Sequence, residues 1–164
     1  MELRERLDAE LKGAMKARNA RRVSTLRLVL AAVKERDIAV PAGEARAGIS
    51  DGEILSLLAK LIKQREESAA AFATGGRPEM AAAEREEISI ICEFMPRQMS
   101  AEETRAAIAA VIAELDANSL KDMGKVMGAL KARHAGSMDF AKAGALVKEL
   151  LSAPKRGRAN PSSV

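Results

Sequence analysis

The chain offers few residues that could carry out covalent chemistry. It has one histidine, His134, and one cysteine, Cys92. An enzymatic nucleophile needs a base within hydrogen-bond reach and, as a rule, a third group that orients the base. His134 stands in KARHAGS, where a helix is expected to end, so a cation favoured by the helix dipole explains it better than catalysis. Cys92 lies in the apolar segment ISIICEFM and is predicted to be a small buried hydrophobic residue.

Motifs for metal and nucleotide binding are missing as well. A zinc site needs several Cys or His residues at ligand spacing, and neither GxxxxGK[ST] nor GxGxxG occurs in the sequence. The acidic run AAEREEISIICE could supply paired carboxylates, but a solvated helix face explains Glu84, Glu86 and Glu87 better. We therefore predict no catalytic residue, no metal and no cofactor.

Two glycines in one predicted helix require an explanation. Gly124 and Gly128 lie one turn apart in DMGKVMGALK, with Lys125 between them, and each costs about 1 kcal/mol of helix propensity relative to alanine. They form a strip without side chains, next to Lys121 and Lys125. Two interpretations remain open: a neighbouring helix packs closely against the strip, or a phosphodiester backbone approaches it while lysines neutralise the phosphates.

The elements that carry these residues are predicted to be helical throughout. Apolar residues recur at three- and four-residue spacing along the chain, and no segment alternates as a strand would. Capping boxes are expected at Ser50 and Ser100, a turn region in DIAVPAGEARAG, and a boundary at Pro96. The predicted fold is all-α with about seven helices. Its predicted parts are an N-terminal subdomain of about four helices (1–95), a smaller three-helix subdomain (96–152) and a disordered basic tail (153–164).

The charge pattern permits an anionic partner without requiring one. The net charge is +4, and 30% of the residues are charged, with both signs interspersed. Because the chain has no Trp or Tyr and only three Phe, contacts with nucleic acid would go through phosphates and shape rather than base stacking. A modest positive ridge is also expected in KLIKQRE, from Lys60, Lys63 and Arg65.

The same composition indicates where the protein works. A single cysteine excludes an intramolecular disulfide and favours a reducing compartment. The sequence has no apolar run of the kind found in signal peptides or membrane spans. We therefore expect a cytoplasmic protein without membrane contact.

The segment DMGKVMGALKARHAGSMDFAKAGALVKELL resembles the tail domain of the GatB/YqeY family, in which a D-M-G-K-V-M-G-type helix is followed by a turn and a V-K-E-L-L helix. The upstream segments KLIKQREESAAAF and EREEISIICEFMPRQMS resemble stand-alone YqeY-like members. The similarity covers about residues 1–152. It implies an all-helical fold of two subdomains and a link to tRNA, which the tail of the amidotransferase B subunit contacts. It also implies the label of carbon–nitrogen ligase with glutamine as amido donor.

Carried over to this chain, the resemblance implies a set of RNA-facing residues: Lys121, Gly124, Lys125, Gly128, Lys131 and Arg133. Nothing here corresponds to the large catalytic domain of the B subunit, which binds ATP and activates the carboxylate. We therefore predict a tRNA-binding accessory protein without its own catalytic centre, working beside amidotransferase or translation machinery. A helical adaptor that presents the glycine strip to a protein partner is the alternative, and an enzyme in its own right is a third hypothesis.

Overall fold

The computed structural model describes residues 2–41 and 48–153. Within these ranges all regular elements are helices, so the all-α prediction is confirmed. The α-helices are α1 (Leu3–Lys16), α2 (Ala20–Ala39), α3 (Asp51–Thr74), α4 (Pro78–Cys92), α5 (Ala101–Glu114), α6 (Met123–Arg133) and α7 (Phe140–Ser152), and a 3₁₀ helix (Leu120–Asp122) precedes α6. The tail predicted to be disordered lies, from residue 154 onward, outside the described residues.

The chain divides into two compact units, each with its own hydrophobic core. The first unit contains α1–α4 and comprises Met1–Gln98 together with Ala135–Ser137. The second unit contains α5–α7 and comprises Met99–His134 together with Met138–Val164. Fully buried aliphatic side chains form the centre of each core. They are Leu7, Leu26, Val29, Val33, Ile54, Leu58 and Ile91 in the first unit, and Ile108, Val111, Val126, Leu130 and Val147 in the second.

Side-chain caps fix where several of these helices begin. The Ser50 hydroxyl accepts from the Glu53 amide at 3.2 Å, and the Glu53 carboxylate accepts from the Ser50 amide at 2.8 Å, which confirms the predicted capping box of α3. The Ser100 hydroxyl accepts from the Glu103 amide at 3.1 Å and so caps the start of α5. Each cap satisfies backbone donors that a helix cannot pair internally.

The helix α2 is longer than the sequence indicated. Asp37 was predicted to open a turn region, but α2 continues to Ala39. The Arg4 guanidinium donates to both Asp37 carboxylate oxygens, at 2.7 and 3.0 Å, and the Ile49 amide donates to Asp37 Oδ1 at 2.8 Å. We call this set of contacts the Arg4–Asp37 clamp. The rest of the predicted turn, residues 42–47, lies outside the described residues.

Glycine is required beside the clamp. Gly48 has a φ of +70°, which side chains rarely adopt, and a Cβ there would lie 2.6 Å from Arg4 Nη2 and 2.7 Å from Asp37 Oδ1. Any larger residue would therefore both strain the backbone and displace the ion pair.

Two charged residues that were assigned to solvated surfaces pair with each other instead. Arg65 was predicted to extend a positive ridge, but it is only 8% exposed. Its Nε donates to Glu87 Oε2 at 3.0 Å and its Nη1 to the Leu61 carbonyl at 3.1 Å. Both predictions, the ridge at Arg65 and the solvated face at Glu87, are wrong because the pair joins α3 to α4.

Cys92 is exposed, so the prediction that it is buried is wrong. The last turn of α4 directs Ile90 and Ile91 into the core, and one further step of about 100° carries the next side chain to the surface. Partial desolvation raises the pKa of the Cys92 thiol, and the negative charge of Glu66 raises it further. The thiolate, which is the reactive form, is therefore disfavoured.

The Arg4–Asp37 clamp should make stability depend on pH. The hydrogen bond from Arg4, followed by that from the Ile49 amide, lowers the pKa of Asp37 below its usual value. Stabilisation by an ionised carboxylate is present above the unfolded-state pKa and is lost as pH falls through the folded-state pKa. We expect Asp37→Asn to cost about 1 kcal/mol at pH 7, and the parent to lose this advantage in urea unfolding below about pH 4.

The matched control is Glu67→Gln, because Glu67 is an exposed carboxylate of α3 without an ion pair among the described residues. This variant should follow the parent curve. If Asp37→Asn and the parent lose stability in parallel between neutral and acid pH, the clamp does not stabilise the fold.

Candidate functional site

One side of α6 carries a row of the smallest residues. Gly124, Gly128 and Ala132 follow each other at four-residue spacing, and all three are exposed; we call them the α6 strip. A Cβ placed on Gly124 or on Gly128 would meet no atom within 4 Å. Within the described residues of the second unit, therefore, no helix packs against these glycines, and the first interpretation of the strip is wrong for contacts inside this unit.

The opposite side of α6 anchors the helix. Val126 and Leu130 are completely buried in the second core, while Met123 and Met127 are partly buried against it. The spacing of Met123, Met127 and Leu130 predicts this apolar face, and the structure agrees. Val126, four residues before Leu130, lies on the same face.

The Asp122 carboxylate stabilises the turn that precedes α6. Asp122 accepts from the amides of Asn118 and Ser119, at 3.1 and 3.4 Å. The bond from the Asn118 amide is the main reason why the pKa of Asp122 is lowered, and the positive charge of Lys125 also contributes. The turn before α6 is thereby fixed next to the strip.

Exposed lysines flank the α6 strip. With 3.6 residues per turn, Lys131 falls on one side of the strip and Lys125 on the other. Lys121 is exposed in the 3₁₀ helix that precedes α6. Over the ranges that the structure describes, none of these three lysines forms an ion pair.

Arg133 is in a different situation. Its guanidinium donates to both carboxylate oxygens of Glu114, at 2.5 and 2.9 Å, and so joins α6 to α5. A ligand would have to compete with Glu114 for this side chain. The neighbouring His134 caps the end of α6, as predicted, with its amide donating to the Leu130 carbonyl at 2.9 Å.

Two leucines of the second unit are exposed, contrary to the helical pattern. Leu115 continues the apolar spacing of Ile108, Val111 and Ile112, and Leu120 that of Met123 and Met127, yet they are 40% and 49% exposed. Leu115 lies just past the last turn of α5, and the next residue, Asp116, turns the chain with a φ of 49°. Apolar spacing thus predicts a buried helix face for these residues, but it does not predict where the helix ends.

The structure thus brings four of the six predicted residues to one surface. Gly124, Lys125, Gly128 and Lys131 share the exposed side of α6, Lys121 precedes them, and Arg133 pairs with Glu114. A bare helix surface between cations can accept a closely approaching anionic backbone or another helix. In the part of the chain that the structure describes, no cluster of His, Cys, Asp or Glu could hold a metal ion.

The family model for Yqey-like protein matches residues 4–151. This chain belongs to the YqeY family. The match runs from α1 into α7, nearly the range over which the resemblance was recognised, and confirms it. Among curated proteins, none matches the chain. No helix in the described ranges of this YqeY-like chain has the length and apolar character needed to cross a membrane.

Alanine at the strip should stabilise the protein. Because an added Cβ meets open space, Gly124→Ala and Gly128→Ala should each raise the free energy of unfolding by about 1 kcal/mol. Gly13→Ala in α1 is the matched control, since its Cβ also meets nothing within 4 Å. Gly76→Ala should instead cost about 1 kcal/mol, because its φ is +72°. Urea unfolding measures the free energy of unfolding of all four variants.

If Gly13→Ala stabilises the protein while Gly124→Ala destabilises it, the α6 strip is covered in the folded protein. That result would remove the basis for treating the strip as a binding surface.

Proposed function

We propose that this protein is an RNA-binding accessory protein, with tRNA as its ligand, and that it has no catalytic centre of its own. One observation carries the proposal: the α6 strip is open, and the exposed lysines beside it have no ion pair among the described residues. The strip keeps a helix surface bare at a cost of about 2 kcal/mol in helix propensity. A closely approaching ligand would account for that cost.

The chemistry of the strip fits a phosphate backbone. Without side chains at Gly124 and Gly128, a sugar–phosphate strand could lie directly on the helix surface, where Lys125 and Lys131 would reach phosphates on either side. With 2% aromatic residues, base stacking would contribute little, so recognition would follow backbone and shape. The choice of tRNA rests on the resemblance to the tail of the amidotransferase B subunit.

The proposed setting is translation. We infer that the protein works in the cytoplasm beside amidotransferase or another part of the translation machinery, presenting or holding tRNA. The ligase label of the family would need ATP binding and carboxylate activation, for which this sequence has no motif. The proposed role is therefore accessory rather than catalytic.

Binding of tRNA should depend on the salt concentration and on Lys125 and Lys131. If Lys121, Lys125 and Lys131 each contact a phosphate, the logarithm of the affinity should fall with the logarithm of salt concentration with a slope of about −2 to −3. The Lys125→Glu/Lys131→Glu variant should reduce this slope by about 2 and weaken binding at least about 10-fold at low salt. Fluorescence anisotropy of labelled tRNA over a salt series measures both.

The control for net charge is Lys34→Glu/Lys63→Glu, which changes two exposed lysines of the first unit. It should bind tRNA nearly as the parent does. The proposal fails if both double variants weaken binding equally, since the effect is then one of overall charge. It also fails if the variant at Lys125 and Lys131 binds as tightly as the parent.

A helical adaptor is the second candidate, and an exposed leucine favours it. Leu120 stands four residues before Gly124 and is 49% exposed. An apolar side chain next to a bare strip suits a packed helix better than a phosphate backbone.

The adaptor hypothesis predicts that Gly128→Leu blocks a protein complex because the side chain fills the strip. Crosslinking from Ala132 in cells, followed by identification of the attached peptide, should then yield a protein in the parent and none in the variant. If tRNA affinity is unchanged in Gly128→Leu while that protein is lost, the adaptor function replaces the RNA proposal.

A further inference from the structure

A groove between α2 and α3, in the first unit, is not used by the proposed function. Its volume is about 440 Å³. Ala32 and Ala39 of α2 form one wall, while Leu57 and Leu61 of α3 line the floor and are each only 8% exposed. We call it the α2–α3 groove.

The apolar surface continues along α2 beyond the groove. Leu28 is 49% exposed and precedes Ala32 by one helical turn, so that Leu28, Ala32 and Ala39 lie on the same face. Small residues on α2 leave room for inserted side chains, and the exposed leucine adds apolar area at the end. Grooves with these properties accept the apolar face of an amphipathic helix.

The rim of the groove is positively charged. Arg36 and Lys60 line it from opposite helices, both are exposed, and neither has an ion pair among the described residues. They outnumber the acid of the rim, Glu35. Arg4, Arg22 and Arg65 of the same unit pair with Asp37, Glu10 and Glu87 instead. What sets Arg36 and Lys60 apart from the other exposed cations is their position on the rim of an apolar groove.

We propose that the α2–α3 groove binds an amphipathic helix with an acidic edge, contributed by a partner protein. The leucines of such a helix would rest on Leu57 and Leu61, and its carboxylates would pair with Arg36 and Lys60. A nucleic acid fits less well, because the floor is apolar and no aromatic side chain lines the groove for base stacking.

Charge also argues against residues 154–164 as the occupant. The segment 154–164 carries Lys155, Arg156 and Arg158 and no acidic residue, so it has the same sign as the rim. The groove therefore fits an acidic helix from another protein better than the basic end of this sequence.

The experiment is a methyl-detected NMR titration of the whole chain with a synthetic helical peptide. The peptide has leucines at i, i+3, i+4 and i+7 and glutamates beside them, and a control peptide carries lysine in place of every glutamate. We expect the acidic peptide to shift the methyl resonances of Ala32, Ala39, Leu57 and Leu61.

Arg36→Glu/Lys60→Glu should weaken binding at least about 10-fold. Lys34→Glu/Lys63→Glu, with the same change in net charge, should bind as the parent does.

Three results would overturn the proposal. The first is the absence of methyl shifts at millimolar concentrations of the acidic peptide. The second is equal binding of the lysine peptide, which would show that the groove binds apolar helices without selecting for their charge. The third is a shift of the groove methyls by tRNA in place of the acidic peptide. The variant Lys125→Glu/Lys131→Glu should bind the peptide normally, so failure here is distinguishable from failure of the RNA proposal.

Discussion

The candidate site depends on the packing of Val126 and Leu130 in the core of the second unit. Both side chains are fully buried, and they fix the rotation of α6 about its axis. With that rotation fixed, 3.6 residues per turn place the α6 strip on the outer side of the helix and one lysine on each side of it. An ordinary core contact therefore decides which surface a ligand can meet, and the glycines decide how closely it can approach.

Ion pairs between helices occur in both units. Arg4 with Asp37, Arg22 with Glu10, and Arg65 with Glu87 join helices of the first unit, and Arg133 with Glu114 joins α5 to α6 in the second. The second unit has a smaller core and accepts Gly124 and Gly128 inside one helix, a loss of about 2 kcal/mol. Since a whole domain is stable by only about 5–15 kcal/mol, that loss is substantial. Under the proposed function, contact with a ligand accounts for it.

The sequence predicted what local spacing determines. The helical class, the capping box at Ser50 and the alignment of Gly124 and Gly128 on one side of a helix all follow from residues a few positions apart. Long-range pairs could not be predicted, since the partners of Asp37 and Arg65 are 33 and 22 residues away. Periodicity also does not show where a helix ends, so it places Leu115, just past the last turn of α5, on an apolar face. The apolar run ISIICEFM likewise does not show that Cys92 faces outward from α4. Whether the strip is covered is likewise a property of the folded chain.

The Arg4–Asp37 clamp has a consequence for chain length. Asp37 accepts from the Ile49 amide, so it joins the end of α2 to the residues just before α3. Closing a loop costs only slightly more as the loop grows, by about 0.6 kcal/mol for each doubling of its length. A change in the number of residues between Asp37 and Ile49 would therefore cost little loop-closure entropy as long as the clamp forms.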